Sequence, residues 1–210
     1  IFFITIRNNF IFIWIIISQQ TVLANPTITI VDSVSARYTS IVLNANGYPV
    51  ISYYHDDDDD GNSDANLKVA VCYEPECDGS SGTPPTITTV DSTGVVGEYT
   101  SLALTANGYP IISYYDDTNS NLKVAVCYEP ECDGSSGTPP TLTIVDNASA
   151  SDTSLVLNAS GFPIISYSND DDLKVAVCYE LECDGSSGTP PKLTIVDSAN
   201  CCTTSLELNV

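Results

Sequence analysis

Acidic side chains crowd one short segment of the chain. Five consecutive aspartates begin at position 56, and a glycine and further polar residues follow them. Alternate carboxylates in such a loop can point their oxygens at one hard cation, and Ca²⁺ is bound by several oxygen ligands at once. The spacing D-x-D-x-D-G-x-x-D therefore predicts a Ca²⁺ site with these ligands: Asp56, Asp58, Asp60, Asn62 and Asp64.

A plain acidic loop is the alternative for this segment. A run of aspartates matches any alternating acidic pattern by chance, and charge runs are usually solvated. An EF-hand loop would end on a glutamate, but Leu67 stands at that position. The Ca²⁺ site would stiffen its loop, whereas the plain loop would only add negative charge to the surface.

Six of the eight cysteines form three pairs with the same C-x₄-C spacing. Such pairs in an exported chain favour local disulfides, because an oxidising compartment keeps them closed. Zinc would need a second ligand pair in each unit, and the single His55 cannot supply one. We predict these bonds: Cys72 with Cys77, Cys127 with Cys132, and Cys178 with Cys183. Cys201 and Cys202 fall outside the pattern and have no predicted partner.

Tyrosines and lysines recur at matched positions and have two interpretations each. The tyrosines either pack in the core or form an aromatic platform for sugars. The lysines are expected to pair with nearby acids rather than to act in catalysis. The tyrosines are Tyr53, Tyr54, Tyr114, Tyr115 and Tyr167, and the lysines are Lys68, Lys123 and Lys174.

The charge balance excludes several partners. The chain has 6 Lys and Arg against 27 Asp and Glu, a formal net charge of -21. Such a surface repels nucleic acid and anionic membranes. Because 43% of the residues are apolar and only 16% are charged, we expect a buried core rather than a disordered acidic tail.

The first 24 residues have the pattern of a signal peptide. Arg7 precedes an apolar run at 10–17, and Val22-Leu23-Ala24 suits signal peptidase. A membrane anchor is the rival, but the run is shorter than the about 20 residues that a span needs. We predict cleavage after Ala24, with no membrane insertion afterwards, and a secreted, extracellular or cell-surface location for 25–210.

The remainder of the chain repeats itself, which predicts the architecture. The repeats cover 27–85, 86–140 and 141–191, and a partial fourth covers 192–210. Each complete repeat has four short runs rich in Val, Ile, Thr and Tyr, separated by Asn-Gly and Pro-rich turns. This size predicts an all-β fold of four-stranded antiparallel blades, an incomplete β-propeller with three full repeats and part of a fourth.

The repeat S-L-x-L-x-x-x-G-x-P-x-I-S-Y-Y-D…L-K-V-A resembles the blades of secreted β-propeller proteins of the sialidase-like kind. The aspartate loop resembles the calcium loops of integrin-type propeller repeats. The resemblance implies a ring of six to eight blades, so that further blades would complete it. The mature part has one arginine, Arg37, and lacks the S-x-D-x-G-x-T-W box of the sialidases.

The sequence thus predicts a binding or scaffold module for a protein or glycan, and no enzyme. No nucleophilic triad can be assembled around the one histidine, and no carboxylate pair stands out. Two alternatives stay open, a non-catalytic part of a glycan-active, sialidase-like hydrolase and a purely structural repeat of a large surface protein.

Overall fold

The chain folds into β-sheets. The computed structural model describes residues 4–7, 10–13, 28–56, 65–198 and 204–207. Strands β1 (Ile4–Arg7) and β2 (Phe10–Ile13) form an antiparallel pair inside the predicted signal peptide, which stays a prediction. Twelve further strands form three four-stranded antiparallel sheets, and the described residues contain no helix. In this part of the chain, then, no helical segment has the length and apolarity to cross a membrane.

Each sheet is a meander in chain order. The first sheet contains β3 (Ser35–Leu43), β4 (Pro49–Asp56), β5 (Ala65–Val71) and β6 (Thr86–Asp91). The second sheet contains β7 (Val96–Leu104), β8 (Pro110–Asp116), β9 (Asn121–Val126) and β10 (Thr141–Asp146). The third sheet contains β11 (Ser151–Leu157), β12 (Pro163–Asn169), β13 (Asp172–Val177) and β14 (Lys192–Asp197). The predicted all-β class and the four-stranded antiparallel sheets are confirmed, while the propeller stays a prediction.

The sheets are shifted by one strand relative to the sequence repeats. Strand β6 begins at Thr86, the first residue of the second repeat, yet it pairs with β5 of the first sheet. Strands β10 and β14 close the second and third sheets in the same way. The second and third repeats therefore each contribute three strands to their own sheet and one to the sheet before it, so that neighbouring sheets interlock along the chain.

The sheets stack face to face and bury the middle sheet on both sides. Strand β7 packs against the first sheet, and β11 packs against the second. Ile112 and Tyr114 of β8 lie in the core shared with the first sheet, whereas Ile111 and Tyr115 lie in the core shared with the third. Because side chains alternate along a strand, a strand that is apolar on both faces needs a neighbour on each side.

Hydroxyl groups join the sheets at a repeated position. Thr100 donates a hydrogen bond of 2.8 Å from β7 to Ser52 of β4, and both side chains are buried. The same pairing recurs between Ser113 and Thr153 at 2.8 Å, and between Ser166 and Thr204 at 3.1 Å. Buried polar groups need such partners, so the recurring Thr-Ser dipeptide fixes how successive sheets align.

A second repeated contact combines an acid, a tyrosine and a lysine from neighbouring sheets. Asp91, at the end of β6, accepts hydrogen bonds from Tyr114, at 2.8 Å, and from Lys123 of the second sheet. Asp146 holds Tyr167 and Lys174 of the third sheet at 2.6 and 3.4 Å. The expected pairing of these two lysines with nearby acids is confirmed.

The three predicted disulfides are confirmed. Their Cα atoms lie 5.1, 5.0 and 5.0 Å apart for Cys72–Cys77, Cys127–Cys132 and Cys178–Cys183, as disulfide geometry requires. Each bond closes a tight turn after the third strand of its sheet, in which the second cysteine is in the left-handed region. Cys201 and Cys202 lie outside the described residues.

Candidate functional site

The predicted cation loop lies at one end of the first sheet. We call this end of the stack, where β4, β8 and β12 finish, the loop rim. Asp56 is the last residue of β4 and is buried. The other predicted ligands, Asp58, Asp60, Asn62 and Asp64, lie outside the described residues, so the Ca²⁺ site stays a prediction.

Asp56 already has a cationic partner. Its Oδ2 lies 2.9 Å from Nη2 of Arg37, which projects from the neighbouring strand β3. The equivalent Asp116 of the second sheet accepts hydrogen bonds from the backbone and side-chain amides of Asn119, in the hairpin that follows it, and its Oδ2 lies 3.6 Å from Nζ of Lys123. An aspartate at this position thus organises the loop rim in both sheets, and a Ca²⁺ ion would share Asp56 with Arg37.

Within 28–56, 65–198 and 204–207, no group of three or more His, Cys, Asp or Glu side chains is placed to hold a metal ion. Any metal site at the rim would therefore depend on the aspartates of the loop itself, whose carboxylates are the hard oxygen donors that Ca²⁺ prefers.

The tyrosines of the central strands are core residues. Tyr53, Tyr54, Tyr114, Tyr115 and Tyr167 are all buried. The first of each pair donates its hydroxyl to an aspartate, as Tyr53 does to Asp32 at 2.6 Å. Burial and this acid raise the pKa of Tyr53 far above its ordinary value. The core-packing interpretation holds for these side chains, which are too enclosed to offer a platform to a sugar.

Two other tyrosines occupy the surface at the loop rim. The first strands of the first two sheets, β3 and β7, each carry a bulge, where the residue before the Thr-Ser dipeptide has a positive φ: 49° at Tyr38 and 52° at Tyr99. This conformation is uncommon for bulky residues and often lies near functional sites. The bulge turns both rings onto the same surface, where their centroids lie 4.4 Å apart with an interplanar angle of 44°.

Charged groups surround this pair of rings. Tyr38 is 39% exposed, and Tyr99 is partly buried beside it. The ion pair of Arg37 with Asp56 and the carboxylate of Glu98 lie next to the rings in sequence and on the same strand ends. We call these five residues the aromatic–acidic patch: Arg37, Tyr38, Asp56, Glu98 and Tyr99.

The electrostatics of the patch favour neutral or cationic ligands. Partial burial, and then the nearby charge of Asp117, raise the pKa of Glu98, although Arg37 opposes the shift. Burial and the hydrogen bond with Tyr38 raise the pKa of Tyr99 to about 12. The partly buried carboxylate of Glu98 can accept hydrogen bonds from a hydroxyl or ammonium group of a ligand.

Comparison with known proteins adds no family to this picture. The chain matches no family model, no curated protein and no solved structure. The candidate site consequently rests on its own chemistry.

The sequence predicts no binding role for Tyr38 and Tyr99, because a tyrosine at their position is present in only two of the three complete repeats. The third repeat has Asp152 where the first two have Tyr38 and Tyr99, although Asp152 adopts the same conformation, with a φ of 51°. A tyrosine before the Thr-Ser dipeptide, in two repeats, was the available signal. The exposure of this tyrosine depends on the bulge, which no local sequence pattern predicts.

Proposed function

We propose that the chain is a secreted or cell-surface binding and scaffold module, whose stacked sheets are blades of a β-propeller, and that it binds a glycan or protein segment at the aromatic–acidic patch. The observation that carries the proposal is the pair of rings at the surface, the exposed Tyr38 and the partly buried Tyr99, which lie beside carboxylates and one guanidinium. Ligand sites combine apolar surface with a few converging polar groups in this way.

A carbohydrate suits this combination of groups. A sugar ring can lay its C–H face on a tyrosine, while its hydroxyls donate to Glu98 and accept from Arg37. The net charge of -21 and the carboxylates of Asp56 and Glu98 in the patch both disfavour anionic ligands. The proposal therefore specifies neutral or amino-bearing glycans, or basic peptide segments, over sialylated or sulfated glycans.

The blade interpretation is supported by the architecture. Four-stranded antiparallel meanders that stack face to face, with the innermost strands in contact, have the organisation of propeller blades. Export is supported by the three disulfides, which persist in oxidising compartments. In this proposal Ca²⁺ stiffens the aspartate loop beside the patch and takes no part in chemistry, and the module is not an enzyme.

Binding of the oxidised chain to an array of neutral, amino-bearing and anionic glycans, together with basic peptides, tests the function. We expect saturable binding to neutral or amino-bearing ligands, reduced in the variant Tyr38→Ala. Binding confined to sialylated or sulfated glycans, or no binding to any member of the array, would contradict the proposal.

A further inference from the structure

Three of the residues in which the third repeat differs from the first two lie together at one junction. The first two repeats agree at each of these positions: Asn46 and Asn107, Tyr48 and Tyr109, Pro75 and Pro130. The third repeat has Ser160, Phe162 and Leu181 instead. All three line one groove of about 370 Å³ between the second and third sheets, at the end opposite the loop rim. Differences at three separate positions of the repeat thus change a single surface.

The first of these differences completes a sequence signal for modification. Asn158-Ala159-Ser160 has the pattern Asn-x-Ser, in which the asparagine is the acceptor for an N-linked glycan. The equivalent turn of the first sheet begins with Asn44 but has Asn46 two positions later, and that of the second sheet begins with Thr105. Of these three turns, only that of the third sheet therefore has an acceptor.

The turn holds the acceptor amide in place and leaves its nitrogen available. Oδ1 of Asn158 accepts hydrogen bonds from the backbone N–H groups of Ser160, at 2.8 Å, and of Phe162, at 3.1 Å. No described residue accepts a hydrogen bond from Nδ2. Asn158 is partly exposed, and Ser160 is exposed. Because Oδ1 and Nδ2 belong to one amide, the bond to Phe162 keeps the acceptor nitrogen beside that aromatic residue.

The groove beside this turn suits a sugar ring. Phe162 and Leu181 are partly buried, and Tyr109 and Tyr128 line the groove from the second sheet. Aromatic side chains offer a broad apolar surface on which the C–H face of a sugar can pack. The phenylalanine in place of a tyrosine removes a hydroxyl from this surface. A sugar attached to Asn158 would cover side chains that otherwise lie partly exposed to water, which is favourable.

We propose that Asn158 carries an N-linked glycan whose first sugar rests in this groove, against Phe162. In the reaction, Nδ2 forms a bond to the anomeric carbon of a lipid-linked oligosaccharide diphosphate. The bond from that carbon to the diphosphate breaks, the diphosphate leaves with the electron pair, and Nδ2 loses one proton to a base of the transferase. Oδ1 keeps both of its hydrogen bonds in the product, so that the turn accommodates the modification. The inference rests on the export in the proposed function, but not on any ligand of the patch.

Site occupancy in the secreted chain tests whether Asn158 is modified. The full chain is secreted from a eukaryotic cell behind a leader that the host supplies. Peptide mass spectrometry then identifies glycosylated asparagines, because amidase release of the glycan converts them to aspartate. We expect the modification at Asn158 in most molecules, abolished by Ser160→Ala and retained by Ser160→Thr. Asn44 is the internal control, since it begins the equivalent turn of the first sheet without a hydroxyl residue two positions later.

The melting temperature tests where the first sugar lies. The measurements use the background Asn147→Gln, because Asn147-Ala148-Ser149 is the other Asn-x-Ser sequence of the chain. An endoglycosidase that leaves the first sugar on Asn158 should preserve the melting temperature, whereas complete release should lower it by about 2–4 °C. Phe162→Ala should reduce this difference to less than about 1 °C, because it removes the surface on which the sugar rests.

Three results would overturn the inference: an unmodified Asn158 in the secreted chain with closed disulfides, equal melting temperatures of the trimmed and fully released forms, or a difference that Phe162→Ala leaves unchanged. Secretion that depends on residues 1–24 alone is assayed separately, as the test of export. Ligand binding at the aromatic–acidic patch is measured on the fully released form. Failure of the proposed function and failure of this inference are therefore seen separately.

Discussion

The hydroxyl oxygens of Ser113 and Thr153 lie 2.8 Å apart, and this buried hydrogen bond joins the second sheet to the third. Thr153 in turn donates to the carbonyl oxygen of Tyr99 at 2.7 Å, so that one side chain links three strands. Removing it tests whether hydroxyl pairs hold the stack together.

Thr153→Val keeps the shape of the side chain but leaves Ser113 and the Tyr99 carbonyl without their partner. We expect the free energy of unfolding to fall by about 2–3 kcal/mol, measured by urea denaturation followed by circular dichroism. Thr89→Val, the same change at an exposed position of β6, is the control and should stay within about 0.5 kcal/mol of the parent. Equal effects of the two changes would show that the hydroxyl pair does not matter.

The acid–tyrosine–lysine cluster makes stability depend on pH. Burial alone would raise the pKa of Asp91, but hydrogen bonds from Lys123 and Tyr114 lower it below its ordinary value. A lowered pKa in the folded state stabilises the protein above the unfolded value, about 4, and this contribution is lost as the pH falls through the folded value.

Lys123→Met leaves Asp91 buried with only part of its hydrogen bonds. We expect a loss of about 3 kcal/mol at pH 7, and the difference from the parent should narrow as the pH falls below about 4. Denaturation curves across this range measure it, with exposed Lys192→Met as the control. A difference that does not change with pH would contradict its assignment to the two buried carboxylates that Lys123 contacts, Asp91 and Asp116.

The close approach of two sheets at Gly97 requires a residue without a side chain. A Cβ there would lie 2.8 Å from Cα of Leu67, and its φ is +105°. We expect Gly97→Ala to destabilise the chain by about 3 kcal/mol or more, from strain and overpacking together. Gly108→Ala, at φ +81° with open space around it, carries only the strain, about 1–2 kcal/mol. If thermal unfolding shows the same loss of stability for both variants, the close contact at Gly97 does not contribute.

The aspartate loop is tested by Ca²⁺ itself. We expect millimolar Ca²⁺ to raise the melting temperature of the parent by several degrees, since a ligand that binds only the folded state stabilises it. Asp58→Ala with Asp60→Ala abolishes this rise. The control is Asp170→Ala with Asp171→Ala in the corresponding hairpin of the third sheet. This double change should preserve the rise in melting temperature. If millimolar Ca²⁺ does not raise the melting temperature of the parent, the segment is a plain acidic loop.

Much of the fold follows from the repeated pattern of residues. Runs of alternating apolar residues predict strands, and runs that are apolar on both faces, such as Leu122–Val126, predict strands that lie between two neighbouring sheets. The C-x₄-C spacing predicts the disulfides. The sheet to which a strand belongs does not follow, because the pattern at Thr86–Asp91 fixes its faces but not its pairing partner. The apolar faces of β5 and β6 must be seen together before the shift by one strand becomes evident.

The candidate site was less predictable for a related reason. Repetition identified Tyr53 and Tyr114, and residues that repeat in every unit serve the junctions that every unit shares. Tyr38 and Tyr99 meet at the surface only through the bulges and through the stacking of β7 on β3. Their position before the Thr-Ser dipeptide recurs in two repeats, but this recurrence does not tell which face of the sheet the rings occupy.

The most direct test of the binding proposal is a calorimetric titration of the best array ligand into the parent and into the double variant Tyr38→Ala, Tyr99→Ala. Loss of two aromatic contacts should weaken binding by about 2 kcal/mol, roughly thirtyfold. Tyr48→Ala, at the opposite end of the first sheet, should leave the affinity unchanged. Equal affinity of the parent and the double variant would contradict the assignment of the binding surface to the aromatic–acidic patch.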